Sequence, residues 1–319
     1  MRVAVTGSTG LVGRALVAAL EARGDEVFAV GRSDTGGLFW TRAGDARLEP
    51  ADGGGLDAVV HLAGAPIAAK RWNESYKREI RESRVEGTRA LVAAMGAMAT
   101  PPRTLVSASA VAIYGPGAGP KGSAGATHGD DELLAEQRVP EAELAGDTGD
   151  YLTDVARGWE REAFAAREQG VARVAALRIG IVLDPAGGAL ERMLPPFRFG
   201  LGARHARGTQ WMSWITLADL VRVVLFALDD ERVDGPLNAV TPEPVTNDDF
   251  TRTLARSLRR PVLPGMFVPR FALRALVGEF ADAALLESHR ATPTVLEALG
   301  FEYRTPGLEA GLADVLKKD

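Results

Sequence analysis

The chain has 319 residues, 46% hydrophobic and 25% charged, a globular composition that excludes a disordered or collagen-like polymer. Its net charge is −5, from 37 basic and 42 acidic residues, so it lacks the basic surplus of a nucleic-acid binder. No cysteine is present, which excludes disulfides, thiolate nucleophiles, iron–sulfur clusters and Cys-ligated zinc.

Met1-Arg2 leads straight into an apolar run with no leader-like segment, and the longest apolar run, 223–228, is far short of a membrane span. The expectation is a cytoplasmic protein with no membrane or nucleic-acid partner. His61, His128, His205 and His289 are widely spaced, and no metal site is expected.

Short apolar runs alternate with longer amphipathic stretches, the pattern of strands and helices in a parallel sheet. Residues 3–5 read as a first strand, and a helix over 11–23 stops at Gly24, a C-terminal glycine signal. Further strands are expected at 27–30, 58–62, 104–107 and 174–177, each rich in Val, Leu or Ala as strands buried on both faces are. Helices are expected at 74–98 and at 152–168, the latter ending before Gly170. Right-handed crossovers then give an α/β fold, a doubly wound parallel sheet of the Rossmann kind. The stretch 115–149, crowded with Gly, Ala, Pro and Asp, carries one short helical candidate at 131–137. It reads as a long mobile loop leaving the carboxyl edge of the sheet, or as a surface insertion without function.

After Gly180 the alternation fades. Helices are expected at 217–228, 247–258, 269–277 and 294–299, separated by proline breaks at Pro195-Pro196, Pro242/Pro244 and Pro261/Pro264. The expected organisation is a Rossmann domain over 1–180, its sheet completed by parts of 205–240. A smaller, mostly helical substrate-side region follows over 181–319, including a module at about 262–312.

Thr6-Gly7-Ser8-Thr9-Gly10-Leu11-Val12-Gly13 places three glycines between a strand and a helix. Gly7 permits a tight turn, Gly10 the close approach of a pyrophosphate, and Gly13 close helix–strand packing. The helix N-terminus offers N–H groups and the positive dipole end to phosphates. The second strand ends Val30-Gly31-Arg32, with no acid at its tip to accept from a ribose 2′-OH. A guanidinium there suits a 2′-phosphate, so NADP is the expected cofactor. The alternative is a solvent-facing Arg32, with Asp34 reaching the ribose.

The glycine turn, His61-Leu62-Ala63-Gly64, and Ser107-Ala108-Ser109 leading to Ile113-Tyr114-Gly115 together look like the extended short-chain dehydrogenase/reductases. That superfamily includes the nucleotide-sugar epimerases and dehydratases. A finer similarity is to its epimerase-like NADP-binding branch, typified by the bacterial YfcH proteins. It runs through Gly64-Ala65-Pro66-Ile67-Ala68-Ala69-Lys70-Arg71-Trp72, Ser83-Arg84-Val85-Glu86-Gly87-Thr88 and Arg178-Ile179-Gly180-Ile181-Val182-Leu183. It continues in Met193-Leu194-Pro195-Pro196-Phe197, in Gly208-Thr209-Gln210-Trp211-Met212-Ser213-Trp214-Ile215, and in a C-terminal module from Gly278-Glu279 to Gly300-Phe301. The resemblance implies cofactor contacts from Leu62, Ala63, Gly64 and Ser107 besides the glycine turn. Arg178, at a strand end, is a candidate substrate or cofactor anchor.

In the superfamily a Tyr acts as acid/base, a Lys four residues later lowers its pKa and holds the ribose, and a Ser or Thr positions the substrate oxygen. Ser109 fits the Ser role. The corresponding helix reads Asp150-Tyr151-Leu152-Thr153-Asp154-Val155-Ala156-Arg157-Gly158-Trp159-Glu160, so Tyr151 is the candidate Tyr and Val155 stands where the Lys is due. Aligning on Glu160 instead gives Leu152 and Ala156, again without a Lys. The YfcH-type branch shares this loss. Lys70, Arg71 and Arg157 are candidate replacement cations. Tyr114 is a second candidate proton donor, or an aromatic packed at the strand exit.

Lys70-Arg71-Trp72 reads as a grip on an anionic or planar ligand, or as a solvated basic turn. Trp211 and Trp214 border a substrate pocket or pack the core. His61 is expected to pack or bond the backbone beside the cofactor. The resemblance thus implies an NADP(H)-binding oxidoreductase or epimerase-like protein acting on a small molecule. A non-catalytic NADP(H)-dependent binding or regulatory protein and a nucleotide-sugar epimerase are the alternatives. Helices flanking the active-site segment often pair subunits in this superfamily, so a homodimer is an expectation.

Overall fold

The computed structural model describes residues 1–33, 38–40, 45–117, 133–262 and 265–317. The chain begins β1 (Arg2–Thr6), α1 (Leu11–Ala22) and β2 (Glu26–Val30), followed by a small hairpin, β3 (Leu38–Trp40) and β4 (Ala46–Leu48). Next come β5 (Ala58–His61), α2 (Glu74–Gly96), β6 (Thr104–Ala110), α3 (Tyr151–Phe164) and β7 (Arg173–Ile179). The rest runs β8 (Ile181–Asp184), α4 (Gly188–Arg198), β9 (Arg204–His205), β10 (Trp211–Met212), β11 (Trp214–Thr216) and α5 (Leu217–Asp229). It closes with β12 (Gly235–Ala239), β13 (Val245–Thr246), α6 (Asn247–Ser257), β14 (Phe267–Val268), α7 (Arg270–Val277), α8 (Thr294–Ala298) and α9 (Leu308–Leu316).

Six parallel strands form the central sheet in the order β12-β7-β6-β5-β1-β2. Apart from the edge strand β2, the strands are buried on both faces, and their period of two divides them between two cores. Val3 and Val5 point to the side covered by α1 and α5, where Leu16, Leu20, Val223 and Val224 pack. Ala4 points to the side covered by α2 and α3, with Leu91, Met95, Ala163 and Phe164. The chain leaves β1 for β2 on one side and returns on the other through β5. That reversal opens a crevice at the carboxyl ends of β1 and β5, where α/β sheets bind ligands. The doubly wound expectation therefore holds. A third core gathers α4, α6 and α9 around the fully buried Trp214. Among the described residues, no helix is long and apolar enough to cross a membrane.

Three expectations are corrected. The proline break at Pro195-Pro196 is absent: α4 runs through both, because Leu190, Leu194 and Phe197 bury its inner face. The two carbonyls of those prolines still accept from Phe199 and Leu201, so the chain turns on past them. The helix expected at 131–137 does not form in its described part. Leu134 bridges to Ala291, and Glu136–Arg138 is a single 3-10 turn. Residues 133–149 are also not a mobile loop: Leu134, Val139 and Leu144 are buried, and Glu136 is 2% exposed. The remainder of that loop, 118–132, lies outside the described residues. The helix α9 was not anticipated. It closes over Trp214, where a Cβ at Gly311 would stand 2.9 Å from the indole.

Candidate cofactor site

β1 ends at Thr6 and the chain swings round at Gly7, whose φ is +70°, a conformation that favours glycine. A Cβ at Gly7 would stand 2.9 Å from the backbone of Leu62 and Ala63, and one at Gly13 only 2.1 Å from the Gly7 carbonyl oxygen. Glycine at both positions therefore lets α1 and the β5 turn close on the end of β1. Gly10, whose N–H donates to the Gly7 carbonyl at 2.9 Å, is exposed, as is Thr9; Ser8, Leu11 and Val12 are partly exposed. The helix α1 starts with no side chain capping it and no acid in its first turn, which leaves its N–H groups to a ligand. These residues fit the diphosphate of a dinucleotide.

A side-chain strut joins the two turns. The Thr6 hydroxyl accepts from the Leu62 and Ala63 N–H groups, each at 3.2 Å, and lies 2.7 Å from His61 Nδ1. With those N–H groups donating to it, the Thr6 hydroxyl gives its own proton to Nδ1, so His61 Nε2 carries the ring proton towards Thr88 Oγ1 at 2.9 Å. Burial pushes His61 down to about 3, with the charge of Arg84 adding to the effect. It is a neutral strut bonded to hydroxyls, with Trp40 and Trp159 edge-on to its ring.

Arg32 is exposed beyond the end of β2 and forms no ion pair with the described carboxylates. Asp34 lies outside the described residues. Ser107 is fully buried inside β6, opposite His61, with its hydroxyl on the Ala108 carbonyl.

The catalytic candidates fall into two groups. Ser109 and Tyr114 enter one buried network. Ser109 Oγ donates to Glu160 Oε1 at 2.6 Å, and Tyr114 Oη donates to Asn238 Oδ1 at 2.7 Å. Arg178 sits between them, pairing with both Glu160 oxygens at 2.9 Å and donating to Tyr114 Oη and the carbonyls of Glu136 and Val139. Burial works against its charge, but the Glu160 carboxylate outweighs that and raises its pKa. All five of its N–H groups are thereby used inside the protein, which corrects the expectation that Arg178 anchors a cofactor or substrate. Burial pushes the Tyr114 phenol up to about 12 despite Arg178.

Tyr151 stands apart at the start of α3, whose first turn Asp150 caps. Its phenol donates to the Lys77 carbonyl at 2.5 Å, with Trp72 edge-on at 5.3 Å and the Lys77 ammonium 4.9 Å over the ring. Burial pushes it up to about 12, partly offset by Arg84 and Arg81.

The expected replacement cations are occupied elsewhere. Lys70 pairs with Glu79, while Arg71 and Arg157 donate to the carbonyls of Ala275 and Glu143. Trp214 is core, and the Arg290 guanidinium lies 4.2 Å over the Trp211 ring. Sequence reasoning did not single out Arg84, nor Glu160 as the partner of Arg178, although Glu160 is a charged residue on the apolar stripe of α3. It also missed Glu287, which accepts from the Gly117 N–H and which burial and Asp150 push up to about 7.

A glycine turn at the switch point of a doubly wound sheet, with a helical region appended, defines an extended-type short-chain dehydrogenase/reductase fold. Residues 3–132 match the NAD dependent epimerase/dehydratase family, and 268–315 match a domain of unknown function, DUF1731. The chain is 39% identical over 304 residues to the epimerase family protein MT2273 of Mycobacterium tuberculosis, covering 94% of this chain and 93% of that one. It is 34% identical over 321 residues to the human epimerase family protein SDR39U1, covering 99% and 100%. The chain belongs to this epimerase family. The crystal structure of human SDR39U1 isoform 2 with NADPH superposes with a TM-score of 0.82, at 32% identity over 99% of both chains. A nucleoside-diphosphate sugar epimerase from Corynebacterium glutamicum gives 0.74 at 33% identity, covering 100% of this chain and 59% of that one.

Proposed function

We propose that this chain binds NADP(H) in the crevice at the ends of β1 and β5 and acts as an oxidoreductase or epimerase-like protein on a small molecule. The observation that carries it is the glycine turn itself, closed at Gly7 and Gly13 where a Cβ would strike the backbone and exposed at Gly10, with an uncapped helix behind it. Arg32 at the tip of β2 supports the phosphorylated cofactor. The human relative, solved with NADPH, supports it further.

A bound nicotinamide supplies the hydride chemistry. Of the three candidate hydroxyls, that of Tyr151 is the one outside the Arg178 network, and we assign the proton to it. A phenol raised to about 12 stays protonated at neutral pH, so Tyr151 donates a proton rather than accepting one. That favours reduction of a carbonyl over oxidation of an alcohol. A second, non-catalytic reading is favoured by one observation: each of the three candidate hydroxyls already donates to a protein acceptor.

The test follows loss of reduced-nicotinamide absorbance with NADPH and a panel of aldehydes and ketones. Turnover is expected, level between about pH 6 and 9, and lowered about 10²-fold or more in Tyr151→Phe with NADPH affinity unchanged. Tight NADPH binding with no turnover across the panel would select the non-catalytic reading.

A further inference from the structure

We infer that Arg84 is an anion-receiving group of the crevice: its guanidinium, sandwiched between Gly64 and Trp159 with no carboxylate partner among the described residues, takes a carboxylate or phosphate of the bound ligand as its counter-ion. The inference rests on the crevice being the ligand site.

Arg84 lies on α2 and reaches beneath the turn that follows β5. A Cβ at Gly64 would stand 3.2 to 3.4 Å from its Cζ, Nη2 and Nη1, so the guanidinium plane lies flat against that glycine. Its other neighbour is the Trp159 ring, 5.0 Å away. Nη1 is fixed by the carbonyls of Ala65 at 3.0 Å and Ile80 at 3.2 Å. Nε and Nη2 make no hydrogen bond to the described residues, and neither is among the buried side-chain atoms without a partner. Both N–H groups are left to face a ligand.

Three other enclosed arginines differ from it. Arg178 has Glu160, Arg167 has Glu141 and Asp234, and Arg173 lacks a carboxylate but fills its N–H groups with three carbonyls and the Thr104 hydroxyl. Among the described residues Arg84 has neither a carboxylate partner nor enough acceptors. Two titratable groups that feel its charge, the Tyr151 phenol raised to about 12 and the His61 imidazole lowered to about 3, are neutral near pH 7. Burial lowers Arg84 to about 10, which keeps it charged at neutral pH. A partly buried cation without a counter-ion is unfavourable, and an anion bridging Nε and Nη2 would relieve it. The paired N–H groups match the two oxygens of a carboxylate or phosphate.

The anion has two possible sources, the substrate or the cofactor diphosphate, and one experiment separates them. The wild type, Arg84→Gln and Arg84→Lys are titrated with NADPH and NADH by fluorescence. Each is then titrated with oxalate and inorganic phosphate in saturating NADP⁺, read as the shift in melting temperature. If the substrate supplies the anion, Arg84→Gln keeps its NADPH affinity within about twofold and loses at least tenfold for oxalate or phosphate. If the cofactor supplies it, Arg84→Gln weakens NADPH and NADH alike by tenfold or more. Arg84→Lys, which keeps the charge and loses the fork, should fall between wild type and Arg84→Gln. Unchanged affinities for all four ligands in a folded Arg84→Gln overturn the inference. Should that variant fail to fold, unchanged affinities in Arg84→Lys overturn it instead. Failure of the crevice reading shows separately, as a wild type that binds no dinucleotide but retains Arg84-dependent anion binding.

Discussion

Thr6, His61 and Thr88 tie two turns and a helix together through one neutral imidazole. The folded pKa, about 3, lies below the ordinary 6.5, so the unfolded chain takes up a proton that the folded chain refuses. The stability from a neutral His61 is therefore complete above about pH 6.5 and is lost as pH falls towards 3, reaching roughly 3 kcal/mol at pH 4. Urea unfolding between pH 7 and 4 should show this extra loss in the wild type and not in His61→Gln. Parallel losses in the two proteins would mean that His61 is not held neutral. The glycines of the turn were legible in the sequence because no other residue suits the φ at Gly7 or the contact at Gly13. The role of His61 was not, since its partners lie 55 and 27 residues away.

At the scale of elements, the Glu160–Arg178 pair joins α3 to β7, and Ser109 and Tyr114 bring in β6 and the 3-10 turn after it. Both charges are fully enclosed, so removing one leaves the other without compensation. Glu160→Gln should destabilise the fold by about 3–5 kcal/mol, and Glu160→Leu combined with Arg178→Met should recover part of that. Equilibrium unfolding of the single and double variants checks this; a single-variant loss below about 1 kcal/mol would remove the pair from its joining role. Arg178 looked like a site residue because an arginine at the end of an apolar strand has no visible partner. Glu160 supplies it 18 residues earlier, on a helix whose face only the fold reveals. Five of the six sheet strands were readable because each holds a short apolar run, whereas β12, with Gly235, Pro236 and Asn238, was expected only as some part of 205–240. The helix α4 was hidden by Pro195 and Pro196, where local proline rules lost to the burial of Leu190, Leu194 and Phe197. Residues 131–137 failed in the opposite direction. Glu136, a good helix former, is instead drawn inward, where it accepts from the Asn238 N–H at 2.9 Å.

Across the whole molecule the middle of the chain and its C-terminal part are interlocked. β12 supplies an edge strand of the sheet, and Asn238 within it donates to the carbonyls of Leu134 and Thr292. Thr294 reaches the same Glu136 carboxylate. The alternation of strands and helices was plain up to residue 180 and faded beyond it. There, β12 apart, the chain uses strands of two to four residues in small paired sheets, too short for a period to show. The sheet order places the crevice at the ends of β1 and β5, with Arg32 just past the end of β2. The most direct test is a parallel titration of the wild type and Arg32→Ala with NADPH and NADH. The account predicts NADPH binding at least tenfold tighter than NADH in the wild type, and near-equal affinities in Arg32→Ala. Absence of binding by either nucleotide, or a preference that Arg32→Ala leaves untouched, would contradict it.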